Sequence, residues 1–193
     1  MSLKLNSSGG GSVTLQEPST ASNLTLTLPA VTGTVLTTST VGTVLQVVST
    51  TKTDTFSSSS FTYVDITGLS VSVTPTSATS KIYVVVTINF CSESGGRLAF
   101  QLVRGSTAIG IGDAAGNRTR GTSSNGPSGP ATMESSSFSF LDSPSTTSAT
   151  TYKVQLCGID TISTYFVNRT VNDEDITGRP RTVSTITVME IAA

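Results

Sequence analysis

The sequence predicts an all-β protein: a short intertwined N-terminal β stem followed by a jelly-roll-like antiparallel β-sandwich. Three observations lead there. Apolar residues alternate with Ser and Thr over many short runs, the period of a strand with one buried face, and no run shows a helical period. Turn signals rich in Gly, Pro, Ser and Asp separate those runs. Charged residues make up only 12% of the 193-residue chain, against about 25% in ordinary soluble domains, which argues against long helices laced with ion pairs.

Residues 1–41 form the first region and contain no aromatic side chain. Leu3 and Leu5 alternate before the break Ser7-Ser8-Gly9-Gly10-Gly11, Val13 and Leu15 alternate again, and Glu17-Pro18-Ser19 turns. Then Leu24, Leu26 and Leu28 alternate with Thr25 and Thr27, Pro29 stops the ladder for want of an N–H, Gly33 turns, and Val35 and Leu36 open another short strand. These strands are too thin for a private core, so the expected cover is other copies of the chain wrapped around one axis, the alternative being a disordered tail.

Residues 44–193 read as a series of strands. Val44–Val48 begins the series and Thr50–Ser60 reads as a loop. Phe61–Ile66 is ended by Gly68, and Leu69–Val73 is closed by Pro75. Lys81–Phe90 is apolar on both faces and so belongs at the centre of a sheet. Leu98–Val103 and Ala108–Ile111 follow, then a long loop over 112–132 with five of its residues Gly and two Pro. Met133–Leu141, Tyr152–Cys157 and Ile159–Val167 are further strands, 168–181 is a second polar loop, and Thr182–Ile191 closes the chain as an interior strand.

Several function classes find little support in the residues. The chain has no His, which removes the commonest general base and transition-metal ligand, and no Trp. Glu93, Asp113, Glu134 and Asp160 are scattered, and no Gly-x-Ser-x-Gly elbow occurs, so the reading is not an enzyme and involves no cofactor. Gly110-Ile111-Gly112-Asp113-Ala114-Ala115-Gly116 is one residue too long for a dinucleotide fingerprint and has no helix after it. Asp173, Asp175 and Gly178 sit as in the first half of a calcium loop, but Ser184 stands where the bidentate Glu belongs, so a solvated loop is the expectation. A net charge of −1 with scattered basic residues points to no nucleic acid. The longest strongly apolar run, Ile82–Ile88, is far too short to span a membrane, and Met1–Asn6 lacks the apolar core of a signal peptide. Cys91 and Cys157 read as two buried thiols.

The residues left for contact lie in or beside the two long loops. Asn117, Arg118 and Arg120 belong to one, and Tyr165, Asn168 and Arg169 to the other. Arg and Asn can hydrogen-bond sugar hydroxyls or carboxylates, with Tyr165 as an apolar platform. The blander alternative is that each Arg pairs with a local acid, or with one across a subunit boundary, and fixes its loop. Asn6, Asn23, Asn117 and Asn168 match the glycosylation pattern, as chance provides in a chain rich in Ser and Thr.

Ser12-Val13-Thr14-Leu15, Leu24-Thr25-Leu26-Thr27-Leu28-Pro29 and Gly33-Thr34-Val35-Leu36 together resemble the short repeat of tail-fibre proteins of tailed bacteriophages, marine and cyanobacterial ones especially. Leu102–Thr107, Phe140–Pro144 and Ser184–Ile191 resemble the terminal head domain of the same proteins. The resemblance implies a homotrimer working in the virion, with a sandwich head and an intertwined stem that turns Leu24, Leu26, Leu28, Val35 and Leu36 toward the three-fold axis, while the want of a signal peptide points to synthesis in the host cytoplasm. It implies partners among the other virion proteins of tail or capsid, and host surface glycans reached by the head loops. It transfers no catalytic residue. A capsid decoration or cement protein is the alternative, and an envelope depolymerase a lesser one.

Overall fold

The computed structural model describes residues 2–6, 8–16, 19, 41–126, 132–160 and 162–193. The chain divides into two compact units between residues 35 and 36. In the first, β1 (Ser2–Asn6) and β2 (Ser12–Gln16) form an antiparallel hairpin with Leu3 opposite Leu15 and Leu5 opposite Val13. The proposed stem residues Leu24, Leu26, Leu28, Val35 and Leu36 lie outside the described residues.

The second unit is all-β and built from two antiparallel sheets. Sheet I places β3 (Val44–Lys52) beside β13 (Ser184–Ile191), and β13 beside β6 (Lys81–Ser92), whose other edge pairs with β10 (Glu134–Asp142). Short β4 (Phe56–Ser58) and β12 (Tyr165–Val167) extend the same sheet beyond β3 and β13. Sheet II runs β5 (Val64–Val73), β11 (Thr150–Gly158), β7 (Leu98–Arg104), β8 (Thr107–Ile109), and β9 (Ser123–Asn125) also pairs β7. First long strand thus pairs with last, second with second-last, and so inward (β3 with β13, β5 with β11, β6 with β10, β7 with β8 and β9). That nesting is jelly-roll connectivity.

The core follows from the alternation. On β6, Ile82, Val84, Val86, Ile88 and Phe90 point inward and are fully buried. They meet Leu98, Phe100 and Leu102 of β7, Tyr152, Val154 and Leu156 of β11, and Ile186 and Val188 of β13. Phe100 packs edge-on against Phe90, ring centroids 5.3 Å apart, and stacks on Phe138 at 6.5 Å. Burying side chains of this size stabilises by roughly 1.5–3 kcal/mol each.

Four strand boundaries differ from the sequence reading. Phe61–Ile66 and Leu69–Val73 are one strand from Val64 onward, because Gly68, at φ 82°, takes up a bulge opposite β11 where a side chain would strain. The loop expected over 50–60 holds the end of β3 and all of β4. The loop expected over 112–132 is broken by β9, a polar edge strand with no apolar signal to announce it. Of the strand expected over 159–167, only Tyr165–Val167 is strand, and the other described residues, 159, 160 and 162–164, are not.

Antiparallel nesting gives the sandwich two ends. At the end we call basal, the chain enters and leaves together: Gly42 N donates to Ala192 O at 2.8 Å, and Ala192 N to Thr43 O at 2.9 Å. At the apical end, the connections tie to one another through Gly158 N to Ser60 O (2.8 Å), Ile159 N to Arg97 O (3.0 Å) and Glu93 N to Thr164 O (3.0 Å).

Candidate contact surfaces

β12 and β13 run along the same edge of β6 in the same direction, so residues 168–183 are an excursion that leaves a strand and returns to it. Asn168 makes the exit. It sits at φ 64°, a left-handed conformation that Asn tolerates. Its Nδ2 donates to Lys52 O (2.8 Å) and Asp54 O (3.0 Å), and its Oδ1 accepts from Ser184 Oγ (2.6 Å). Thr182 N donates back to Asn168 O at 3.1 Å, and Arg169 and Arg181 form a bridge, so the neck of the loop is closed.

The loop's three arginines each face one of its own acids. Asp173 accepts from Arg181 Nε at 2.6 Å and from Arg181 Nη2, with Arg169 Nη1 at 3.9 Å. Arg179 faces Glu174 at 3.8 Å. Arg169 also lies 4.2 Å above the ring of Phe166. Around the small concavity at the tip, Asp173, Glu174, Asp175 and Ile176 alternate with Arg179 and Arg181. Among the described residues no cluster of three or more acidic or thiol ligands is placed to hold a metal.

Two of the sequence-predicted contact residues are corrected. Asn168 is completely buried and its amide is consumed by the neck of the loop. Tyr165 is buried in the core, its hydroxyl donating to Arg97 O at 2.8 Å, so it offers no platform. A strand alternation placed both beside a polar loop, but the inward phase belongs to Tyr165, and the buried turn to Asn168. Asn117, Arg118 and Arg120 are exposed on the connection from β8 to β9, in sheet II, and so are not gathered with Arg169, which leaves sheet I. Arg120 Nε donates to Gly112 O at 2.6 Å, and the hydroxyl of Tyr63, a residue the sequence did not single out, donates to Arg120 O at 2.7 Å and pins this loop. Cys91 and Cys157 are both buried free thiols, on β6 and β11 of opposite sheets, and burial pushes both above the ordinary thiol range.

Two surfaces escaped the sequence reading. The apical end exposes Phe61 and Ile162, with Arg97 and Asp160 beside them joined through Arg97 N to Asp160 Oδ1 at 3.0 Å. The outer face of sheet I is a set of cross-strand rows. The register aligns Val47, Met189, Tyr83 and Leu141 across β3, β13, β6 and β10. The next rows are Ser49, Thr187, Val85, Ser139 and then Thr51, Thr185, Thr87, Ser137. Hydroxyls pair within the rows, Ser49 with Thr187 at 2.8 Å and Thr87 with Ser137 at 3.1 Å, and Tyr83 donates diagonally to Ser139 of the next row at 3.1 Å. Above them Phe166 and Cys91 are covered by the excursion loop, through Arg169 and Val171. The outer face of sheet II is different: Lys153 and Gln155 both reach Asp65, at 2.8 and 2.6 Å, and Gln101 donates to Gln155 at 2.6 Å.

No family model and no curated protein sequence matches the chain. In structure it is similar to a chain of infectious bursal disease virus, Gx strain, at 19% identity and a TM-score of 0.41, over 95% of this chain and 44% of that one. It is similar also to a chain of the T=1 particles derived from infectious bursal virus, at 17% identity and a TM-score of 0.39, over 98% of this chain and 44% of that one. The chain spans less than half the length of either.

Proposed function

We propose that the protein is a structural component of a virus particle, a homotrimeric phage fibre whose residues 1–41 are the stem and 44–193 the head. The observation that carries the reading is the union of a fibre-like N-terminal repeat with a jelly roll whose chain enters and leaves at one end. A head mounted by its basal end presents the apical segments, with Phe61, Arg97 and Ile162, away from its mount. Such segments and the loop carrying Asn117 and Arg118 would meet a host surface glycan, and three weak sites per fibre would act by avidity. A second reading, decoration of the capsid, draws support from the excursion loop, whose arginines are paired with its own acids.

The test is the copy number of this chain per purified particle, measured by quantitative mass spectrometry against the major coat protein. A small number in multiples of three fits a fibre on the tail. A number comparable with the coat protein replaces that reading with decoration, and absence from particles removes both.

A further inference from the structure

The outer face of sheet I has the chemistry of a surface made to be covered, and we infer that what covers it is the same face region of further copies of this chain. The inference rests on the homotrimer reading and gives that assembly its head contact. Its first ground is charge. Across β3, β13, β6 and β10 the outward side chains are aliphatic, aromatic, hydroxyl or amide, and Lys81 at the basal rim, donating to Ser143 Oγ at 2.8 Å, is the one charged group. Copies meeting here bring together no charge but that of Lys81, at the rim, and a net charge of −1 sets up little repulsion at longer range. The face of sheet II, with Lys153 and Asp65, lacks this property.

The second ground is the cost of drying the face. Polar groups resist burial when they lose water without gaining a partner. Here the hydroxyls of Ser49, Tyr83 and Thr87 already have partners on the neighbouring strand, so covering them leaves fewer orphans. Beside them lies the apolar row, with Val47 57% and Leu141 52% exposed.

The third ground is size. Four strands about 4.8 Å apart, each with about seven residues at about 3.4 Å, present on the order of 450 Å² in projection. Three such faces turned toward one axis remove on the order of 1,400 Å² from water in all, shared over three contacts, which is within the range of a specific interface for the assembly as a whole and adds to the contacts of the stem.

The experiment uses the full chain, in wild type, Leu141→Arg, Val47→Arg and Lys153→Glu forms, by sedimentation equilibrium over a range of concentrations, with circular dichroism melting to verify folding. Both arginine substitutions lie on exposed positions and leave the core untouched. The expected result is a wild-type oligomer whose dissociation constant rises about tenfold or more in Leu141→Arg and Val47→Arg, and is unchanged in Lys153→Glu. A wild-type oligomer insensitive to both arginines overturns this inference and leaves the fibre reading standing, as does equal weakening by Lys153→Glu. A wild type that stays monomeric at every concentration overturns both the inference and the homotrimer, and the copy number per particle then decides independently whether the chain is a virion protein.

Discussion

The two outer faces of the sandwich come from strands of the same texture, yet they finish as opposite surfaces. Across β3, β13, β6 and β10, sheet I shows rows of hydroxyls beneath an apolar row, with Lys81 the one outward charge. Sheet II shows a polar ladder from Gln101 through Gln155 to Asp65, closed by Lys153. The difference teaches that the character of a sheet face is set by register as much as by composition. Ser, Thr and Val alternate on both, but pairing over long sequence distances brings Lys153 to Asp65 on one sheet and Tyr83 between Met189 and Leu141 on the other. One face is built to stay wet, the other can be dried.

The contrast depends on both sheets being held by one core, so the largest effect should come from cutting their polar link. Asp142, on β10 of sheet I, is buried and accepts from Arg104 Nη1 at 2.9 Å and from the Tyr152 hydroxyl at 2.7 Å, both on sheet II. Asp142→Ala strands a half-buried guanidinium and a buried phenol, and should cost about 3–5 kcal/mol, read as a lower urea midpoint with no change in slope. An effect below about 1 kcal/mol would show that hydrophobic packing alone joins the sheets.

Acid should act next, and on sheet I. Burial pushes the Glu190 carboxyl up, but hydrogen bonds from Gln46 (2.5 Å) and from the Thr76 backbone and hydroxyl (2.7 Å each) more than offset it and hold it at about 2, below its ordinary 4.5. A lowered folded value means that its stabilisation is complete above about pH 4.5 and is lost as pH falls toward about 2. Stability of the wild type should therefore fall over that window, and Glu190→Gln should flatten the fall while being less stable at neutral pH. Urea midpoints measured across the window check it, and equal slopes for the two proteins would refute it.

The smallest effect belongs to the wet face. Lys153 and Asp65 are partly exposed, and such pairs contribute about 0–1 kcal/mol. Lys153→Ala should leave the thermal midpoint nearly unchanged, as measured by calorimetry, and a loss as large as that of Asp142→Ala would erase the distinction between the faces.

How much of this was legible in the sequence varies by element. β6 and β13 announced themselves as central strands because both of their faces carry apolar side chains. β5 was read as two pieces because Gly68 marks a bulge and a turn with the same letter. β9 was invisible, since Ser123-Ser124-Asn125 is wholly polar and is held on a sheet edge by backbone and hydroxyl hydrogen bonds. Tyr165 and Asn168 read as surface residues because a neighbouring polar loop masks the inward phase of a three-residue strand. The apical pair Phe61 and Ile162 and the row through Tyr83 could not be read at all, because each is assembled from segments far apart in the chain.

The most direct measurement is hydroxyl-radical footprinting of the full chain, comparing dilute with concentrated protein, with the oxidation of each residue read by mass spectrometry. Met189 and Tyr83 report on the face of sheet I, and Phe61 on the apical end. Protection of Met189 and Tyr83 at high concentration, with Phe61 unchanged, is the predicted result. Protection at Phe61 with Met189 and Tyr83 unchanged would contradict it, and would place the meeting of copies at the apical end instead.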